Sequence, residues 1–365
     1  MTSRTHFAPG WRQAAVGLLG LTVGISACLS SRGQSVGREA WPVHDATSAP
    51  PRTSASERFR GTWFDGTAEL SGYRMTVARY GELRTGELVL TYVTEPMDRR
   101  TRIKDDDATA PDRIDVLKLN ANLTFLAGIY PYSVMTSVFS PIDDWGPSSE
   151  RFSPVKITLT AQEWCGQVFH AIRPGRDAVA EELASYFASE GEISRRIPTA
   201  PGTLYEDALL IQLRELDGAF AAGGSWEGSL IPSLWRLRRA HVPLAPVPAT
   251  ITREAAMRTG VPITRFVLTA GGYRRTFEVE SGGARRVLGW TTSDGEEARL
   301  LATTRLPYWQ LNHAGEGELS GATRPSCRPQ RASCGTPAGD CGGRAMSRGG
   351  PTVRNHPERQ PNSPT

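Results

Sequence analysis

The chain has 365 residues and a formal net charge of +4. The positive charge lies at the two ends: residues 1–27 contribute +2 and residues 321–365 contribute +5, which leaves −3 for residues 28–320. A protein that binds nucleic acid needs a clustered basic face on its folded part, so this distribution of charge excludes nucleic acid as a partner.

The N-terminus has the layout of a bacterial lipoprotein leader. Arg4 and Arg12 precede the apolar run AAVGLLGLTVGI, which is too short to cross a bilayer comfortably. The next residues, Ile25 to Cys28, resemble the lipobox, in which small residues precede a cysteine that receives diacylglycerol. We therefore predict a signal peptide over residues 1–27 and an acylated, palmitate-bearing Cys28 that anchors the protein to a membrane. An ordinary leader that is cut elsewhere is the alternative.

The residues around the predicted anchor and at the far end of the chain predict location and disorder. Leu29 and Ser30 stand where an aspartate would retain a lipoprotein at the inner membrane. By analogy with enteric bacteria, this predicts an outer-membrane lipoprotein that faces the periplasm. Residues 28–57 are polar and rich in Ser and Pro, which predicts a disordered tether, and the Arg/Gly/Pro-rich residues 314–365 predict a disordered tail.

The body between these segments, residues 58–313, has an apolar period of two. Val155, Ile157 and Leu159 alternate with polar residues, which is the pattern of a strand with one solvated face. Near its end the runs RTFEVES, RRVLGWTT and EEARLLATT are separated by glycine-containing turns, as in an antiparallel meander. These patterns predict a mainly β fold: a curved antiparallel sheet or open barrel with one or two helices packed on it. Two lobes, at about 58–200 and 201–313, are an alternative to a single domain.

Two segments of the body predict those helices. The run YEDALLIQLREL, residues 205–216, has Thr203 and Glu206 at the spacing of a capping box. The run AVAEELASYFASE, residues 178–190, is compatible with a helix and equally with a strand.

The segment QEWCG raises the question of a reactive thiol at Cys165. A cysteine nucleophile needs a lowered pKa and a nearby base. In a continuous strand His170, five residues later, would face the opposite side, while Glu163 would share the face of Cys165 and raise the pKa of the thiol. We therefore expect Cys165 to be buried, structural and inert, and we predict no catalytic residue.

Clusters of carboxylates are the remaining candidates for chemistry. The run Asp105–Asp107 with Asp112 lacks the spaced oxygens and the turn glycine of a calcium site, and the three tail cysteines lack the paired spacing of a metal site. We therefore predict no metal and no other cofactor. Asp65, Glu69 and Glu82 could supply a carboxylate pair for acid–base catalysis, but turn and edge-strand positions explain them better.

Aromatic and arginine side chains are the best candidates for a binding surface. Aromatic rings give contact area, and guanidinium groups pair with phosphate or carboxylate groups. Core packing of the aromatics and a solvated strand face for the arginines are the alternatives. The candidate ligand-binding residues are Tyr130, Tyr132, Phe139, Trp164, Arg236 and Arg238.

Several runs of the body resemble a family of uncharacterised bacterial lipoproteins, some of whose members carry the label "septum formation inhibitor Maf". The runs are WFDGTAELSGY, RYGELRTGE, KLN, GIYPYSVMTSVFSP, QEWCG, IPSLWRLR and LPYWQLN. The resemblance covers residues 63–312 and implies kinship without an activity. The Ser-Pro-Arg-Arg type motif with which true Maf nucleotide pyrophosphatases start is not found in the sequence.

The sequence therefore predicts an exported, non-catalytic lipoprotein. Its expected partner is an apolar or amphipathic ligand, or an envelope protein, by analogy with periplasmic lipid carriers built on curved sheets. The alternative is a periplasmic hydrolase with a carboxylate or Cys165 site. A deep apolar cavity would favour binding, whereas a pocket that unites Cys165 or Glu163 with His170 or His241 would favour hydrolysis.

Overall fold

The computed structural model describes residues 51–107, 109–146 and 149–317. These residues form fifteen strands, three short α-helices and three 3₁₀ turns. The signal peptide, Cys28, residues 28–50 of the predicted tether and the tail from 318 lie outside the described residues. The strands are β1 (Ala68–Arg79), β2 (Glu82–Asp98), β3 (Arg113–Ala127), β4 (Tyr130–Pro141), β5 (Lys156–Glu163), β6 (Gly166–Pro174), β7 (Ala178–Ser185), β8 (Glu192–Pro198), β9 (Leu204–Tyr205), β10 (Ser225–Ile231), β11 (Val247–Arg258), β12 (Val261–Ala270), β13 (Tyr273–Glu280), β14 (Val287–Thr292) and β15 (Glu297–Leu306). The helices are α1 (Glu57–Trp63), α2 (Leu209–Glu215) and α3 (Leu234–Ala240), and the 3₁₀ turns are Glu206–Ala208, Ala219–Ala221 and Tyr308–Gln310.

All fifteen strands belong to one curved, unclosed sheet. Their order is β8-β7-β6-β5-β4-β3-β2-β1-β15-β14-β13-β12-β11-β10-β9, and every neighbouring pair is antiparallel except β9 with β10. Strand β1 pairs with β2 on one side and with β15 on the other, so the sheet is continuous through the ranges 58–200 and 201–313. The predicted mainly β fold is confirmed.

Two-residue turns connect several of the long strands. Tyr80 and Gly81 join β1 to β2 with φ angles of 56° and 74°, and Thr259 and Gly260 join β11 to β12 with 47° and 81°. Positive φ at both positions is typical of the turns whose twist matches that of the strands they connect. The three strands predicted near the end of the body are confirmed as β13, β14 and β15.

The three helices pack on one face of the sheet, which we call the covered face. Met75, Leu90 and Leu119 are buried there, in the same hydrophobic cluster as Leu210 of α2 and Trp235 of α3. Alternation along each strand places these apolar side chains on one side of the sheet. A smaller cluster contains Met97, Ile114, Val116 and Val155.

One of the two predicted helices forms. Within residues 205–216 a 3₁₀ turn leads into α2, and Leu209 and Ile211 are fully buried. The predicted capping box is wrong, because the Thr203 hydroxyl donates to the Ala200 carbonyl and Glu206 accepts hydrogen bonds from other segments.

The other segment, residues 178–190, contains strand β7 and a turn, so the strand alternative was the correct one. Strand β7 pairs with β6 on one side and β8 on the other. Val179 and Ala180 are buried in the sheet. The segment contains residues with high helix propensity, such as Ala, Glu and Leu. Backbone hydrogen bonds to the strands on both sides outweigh that propensity, so the segment forms a strand.

Helix α3 was not predicted, and the strand face expected for its arginines is wrong. Leu234, Trp235 and Leu237 are buried, which gives the short helix an apolar side. His241 ends the helix in the left-handed conformation, at φ 52°. The helix is only seven residues long, so its stability comes from packing on the sheet.

Contacts with the body extend into the last residues assigned to the tether. Thr53 forms an isolated bridge with Asp144. Ala55 is buried, and its backbone N–H donates to Asp143 Oδ1 at 2.6 Å. Ser56 caps α1 by accepting a hydrogen bond from the Phe59 N–H. The body therefore includes residues on the N-terminal side of position 58.

Candidate functional site

A small, mostly apolar cavity lies between the covered face and the helices, and we call it the sheet–helix cavity. It has a volume of about 70 Å³. Its walls come from six strands of the sheet and from the segments that carry α2 and α3. The apolar lining residues are Met75, Leu88, Leu90, Leu119, Ala121, Leu123, Val134, Val138, Leu210, Trp235 and Trp290.

Three buried N–H donors of residues that line this cavity have no hydrogen-bond acceptor within the described part of the chain. They are the indole Nε1 atoms of Trp235 and Trp290 and the Nε of Arg275. The Nη1 atom of Arg275 donates to Glu206 at 3.1 Å, so the guanidinium is held in place by its other end. An unmet buried donor costs free energy of about 1–3 kcal/mol, and it marks a position at which a bound acceptor would be favourable.

Carboxylates complete the polar part of the cavity. Asp207 accepts a hydrogen bond from the Leu234 N–H at 2.9 Å and thereby caps α3. Burial raises the pKa of Asp207 to about 6, although the contacts with Leu234 and Ser233 oppose the shift. Burial also raises the pKa of Glu296, which lies 3.3 Å from Arg239. The cavity therefore combines apolar walls with groups that can change their protonation.

The structure brings three of the four predicted aromatic residues together. The ring centroid of Tyr130 lies 6.0 Å from that of Tyr132 and 6.2 Å from that of Trp164. Tyr132 is buried and stacks on Phe125, whereas Trp164 is 70% exposed. Phe139 has the opposite parity on β4 and packs against the smaller hydrophobic cluster. These residues lie outside the lining of the sheet–helix cavity.

The two predicted arginines lie on α3 and are engaged in ion pairs. Arg236 Nε lies 3.2 Å from Glu206, and its guanidinium stacks over the Tyr273 ring at 4.0 Å. Arg238 Nη1 lies 2.6 Å from Glu190. Both arginines therefore hold α3 to the rest of the protein, and neither offers a free guanidinium on a solvated strand.

Cys165 is exposed, so the expectation that it is buried in the sheet is wrong. It lies with Trp164 in the two-residue turn between β5 and β6, where the strand that we assumed to be continuous reverses direction. The thiol interacts with Glu163, which raises the pKa of Cys165. The inertness predicted for the thiol rests on this carboxylate alone, because Cys165 is not buried.

A separate cleft of about 270 Å³ unites His170 with His241. His170 Nε2 lies 2.9 Å from Glu181, and His241 Nδ1 lies 2.9 Å from Glu190. Cys165 and Glu163 are not among the residues that line this cleft. Neither histidine has a hydrogen bond to a hydroxyl or thiol within the described ranges, so the cleft does not form the nucleophile–base pair that the hydrolase alternative requires.

The candidate carboxylates are each paired with arginine, and Asp65 and Glu69 both lie near Arg305, at 3.0 and 3.9 Å. Glu69 is buried and accepts two hydrogen bonds from Arg214, at 2.7 and 3.1 Å. Asp65 pairs with Arg305 at 3.0 Å, and the exposed Glu82 pairs with its neighbour on the same strand. No group of His, Cys, Asp or Glu side chains in the described part of the chain could hold a metal ion.

Sequence reasoning missed the polar groups of the cavity. Trp235 and Trp290 occur in the runs IPSLWRLR and VLGWTT, the first of which carries the family resemblance and the second a strand pattern. Arg275 sits in an alternating strand at a position whose neighbours Tyr273 and Phe277 are apolar. An arginine in phase with the apolar side of a strand is the signal that could have identified it.

Comparisons with known proteins give little beyond this geometry. No family model matches the chain, and no curated protein matches it. Among solved structures, a β-barrel-like protein of domain of unknown function DUF1849 from Brucella abortus aligns with a TM-score of 0.39 and 11% identity, over 66% of this chain and 97% of that chain. None of the helices in the described residues is long and apolar enough to span a membrane.

Proposed function

We propose that this protein is a non-catalytic lipoprotein of the bacterial envelope that binds an amphipathic ligand in the sheet–helix cavity. The observation that carries the proposal is the unmet indole N–H of Trp235 in a cavity with predominantly apolar walls. Apolar walls favour a hydrocarbon chain, and the buried N–H donors of Trp235 and Arg275 favour an acceptor such as a carboxylate. A long-chain fatty acid has both parts.

The size of the cavity sets a condition on this binding. A space of about 70 Å³ is smaller than the several hundred Å³ typical of ligand sites, so an acyl chain enters only if α3 moves away from the sheet. Arg238 and Arg239 connect α3 to Glu190 and Asp294 by ion pairs. Leu234, Trp235 and Leu237 of α3 are buried, so this movement also separates core side chains from the covered face.

The experiment is a titration of the full chain with cis-parinaric acid, a fluorescent fatty acid, followed by competition with palmitate. We expect saturable binding that Trp235→Phe weakens at least severalfold, because the phenyl ring keeps the apolar contact and removes the donor. Ala121→Phe should abolish binding by filling the cavity. The matched control is Trp309→Phe, since Trp309 is 44% exposed and does not line the cavity. Unsaturable binding, or equal affinity in all variants, would contradict the proposal.

The proposed location rests on the leader and on the resemblance to bacterial lipoproteins. Cys28 carries the acyl chains in this proposal, and the protein faces the periplasm from the outer membrane. Cells fed labelled palmitate should incorporate it into the wild-type protein and not into Cys28→Ser. Cys165→Ser, which removes the exposed cysteine of the body, should keep the label. An unlabelled wild-type protein would disprove the lipid anchor.

A further inference from the structure

A second cavity, which we call the arginine pocket, lies away from the sheet–helix cavity. Its volume is about 390 Å³. It touches the C-terminal end of α2 at Arg214 and Glu215, whereas the sheet–helix cavity touches the other part of that helix at Leu210. Five guanidinium groups line it, from α1, the segment before β5, α2, the turn after β13 and β15. They belong to Arg58, Arg151, Arg214, Arg285 and Arg305.

Two of these arginines have close carboxylate partners, and a third, Arg285, has a longer ion pair with Asp217. Arg214 binds both oxygens of Glu69, and its Nε lies 3.2 Å from Glu215. Arg305 pairs with Asp65 at 3.0 Å. Glu69 and Glu215 are the carboxylates among the lining residues, and Asp65 and Asp217, outside the lining, neutralise part of the remaining positive charge. Burial raises the pKa of Glu215, which acts to reduce the negative charge in the pocket.

Arg58 and Arg151 are held by neutral carbonyl groups, and Arg285 is held by a carbonyl group and by its longer ion pair. Arg58 donates to the Gly283 carbonyl at 3.3 Å, and Arg151 donates to the Ser54 carbonyl at 3.5 Å. Neither has an ion pair among the described residues. Arg285 donates to the Arg214 carbonyl at 3.4 Å, and its nearest carboxylate, Asp217, is 3.7 Å away and closer to Arg253.

The buried Nε of Arg285 also lacks an acceptor within the described ranges. Three guanidinium groups that converge on one pocket repel each other unless an anion lies between them. A phosphate group offers several acceptor oxygens and a charge of up to −2, which matches the planar fork of donors on arginine.

Aromatic side chains form the apolar part of the same pocket. The ring of Phe59 lies 6.3 Å from Trp63 and 5.2 Å from Phe152. The guanidinium groups of Arg214 and Arg305 stack over Trp63 at 5.2 and 5.1 Å. The pocket therefore offers an apolar surface beside its positive charge, which suits a phosphate attached to an organic group.

We propose that the arginine pocket binds a phosphate group through Arg58, Arg151 and Arg285. The site is independent of fatty-acid binding in the sheet–helix cavity. A phospholipid headgroup and a free phosphate ester share this chemistry, and the experiment below distinguishes the two sources.

The test is calorimetry on the full chain with inorganic phosphate and glycerol 3-phosphate, together with flotation on vesicles of phosphatidylcholine with and without phosphatidylglycerol. We expect saturable phosphate binding that the double variant Arg58→Gln/Arg285→Gln weakens at least tenfold. Arg151→Gln should weaken it as well. Added salt should weaken binding in the wild type, because the interaction is electrostatic.

The matched control is Arg299→Gln, because Arg299 is 66% exposed, pairs with Glu297 and lies outside the pocket. Binding of glycerol 3-phosphate without flotation assigns the pocket to a soluble ester, and flotation that depends on phosphatidylglycerol and on Arg58 and Arg285 assigns it to a lipid headgroup. The absence of both, or the same affinity in the folded double variant, would overturn the proposal. Trp235→Phe should leave phosphate binding unchanged, so the two proposals fail separately.

Discussion

At the scale of single residues, Cys165 was predicted to be buried because the strand that contains it was assumed to continue to His170. It is exposed because the chain turns there. Side chains five residues apart lie on opposite faces only if a continuous strand runs from Glu163 to His170. The chain instead turns at Trp164 and Cys165, so the thiol is exposed while His170 is buried against Glu181. The predicted effect of Glu163, a raised pKa of the Cys165 thiol, agrees with the structure. It requires only that the two residues lie close together along the chain.

Reaction of Cys165 with a thiol reagent tests this reading. We expect slow but complete modification of the folded protein at neutral pH, because the thiol is exposed and Glu163 raises its pKa. Glu163→Gln should speed the reaction, since it removes the carboxylate that disfavours the thiolate. Mass spectrometry of the labelled peptide separates Cys165 from the other cysteines, and Glu82→Gln is the control for loss of an exposed carboxylate. An unchanged rate in Glu163→Gln would contradict the assigned cause.

At the scale of secondary-structure elements, the strands were predictable because burial repeats every second residue. Val155, Ile157 and Leu159 alternate in the sequence and are all buried, and the glycine turns before β14 and β15 stand where the sequence places them. The alternation of apolar and polar residues requires only that one face of the sheet is covered. It can therefore be recognised without knowing which elements cover that face. The presence of an antiparallel sheet could therefore be predicted from the sequence. The order in which all fifteen strands join into one sheet could not.

Helix α3 could not be predicted, because its stability depends on distant partners. Its arginines reach three separate regions: Arg236 pairs with Glu206, Arg238 with Glu190, and Arg239 with Asp294 and Glu296. The segment after it continues these links, since Arg195 of β8 donates to the Leu244 carbonyl. A seven-residue run gives a weak local signal, whereas these long-range contacts are absent from any window of sequence. The sheet–helix cavity, which α3 helps to line, could not be predicted for the same reason.

At the scale of the whole molecule, buried and paired carboxylates divide into two groups with opposite effects on stability. Burial disfavours ionisation of Glu181 and Glu190, but their hydrogen bonds and cationic partners outweigh it and lower the pKa of each. These groups stabilise the fold above the pKa of the unfolded chain, and that contribution is lost as the pH falls through their folded-state pKa. Burial raises the pKa of Asp115, Glu215 and Glu296. Each of these carboxyl groups therefore stabilises the folded state when the group is protonated, and this contribution is lost as the pH rises.

Asp207 makes this balance measurable, because its pKa in the folded state is about 6 against an ordinary value of 3.8. Protonated Asp207 stabilises the folded state, and this contribution to the free energy of unfolding is lost as the pH rises from about 4 to 6. The variant Asp207→Asn cannot lose a proton. Its side-chain oxygen can still accept the hydrogen bond from the Leu234 N–H. Each pKa unit is worth about 1.4 kcal/mol, so the free energy of unfolding of Asp207→Asn relative to wild type should rise by about 3 kcal/mol across that window. Urea unfolding at constant ionic strength from pH 4 to 7.5 measures the difference, and subtracting the two curves cancels the titration of the histidines. Asp106→Asn, at an exposed position, should give a flat difference. A flat or falling difference for Asp207→Asn would show that Asp207 is ionised throughout.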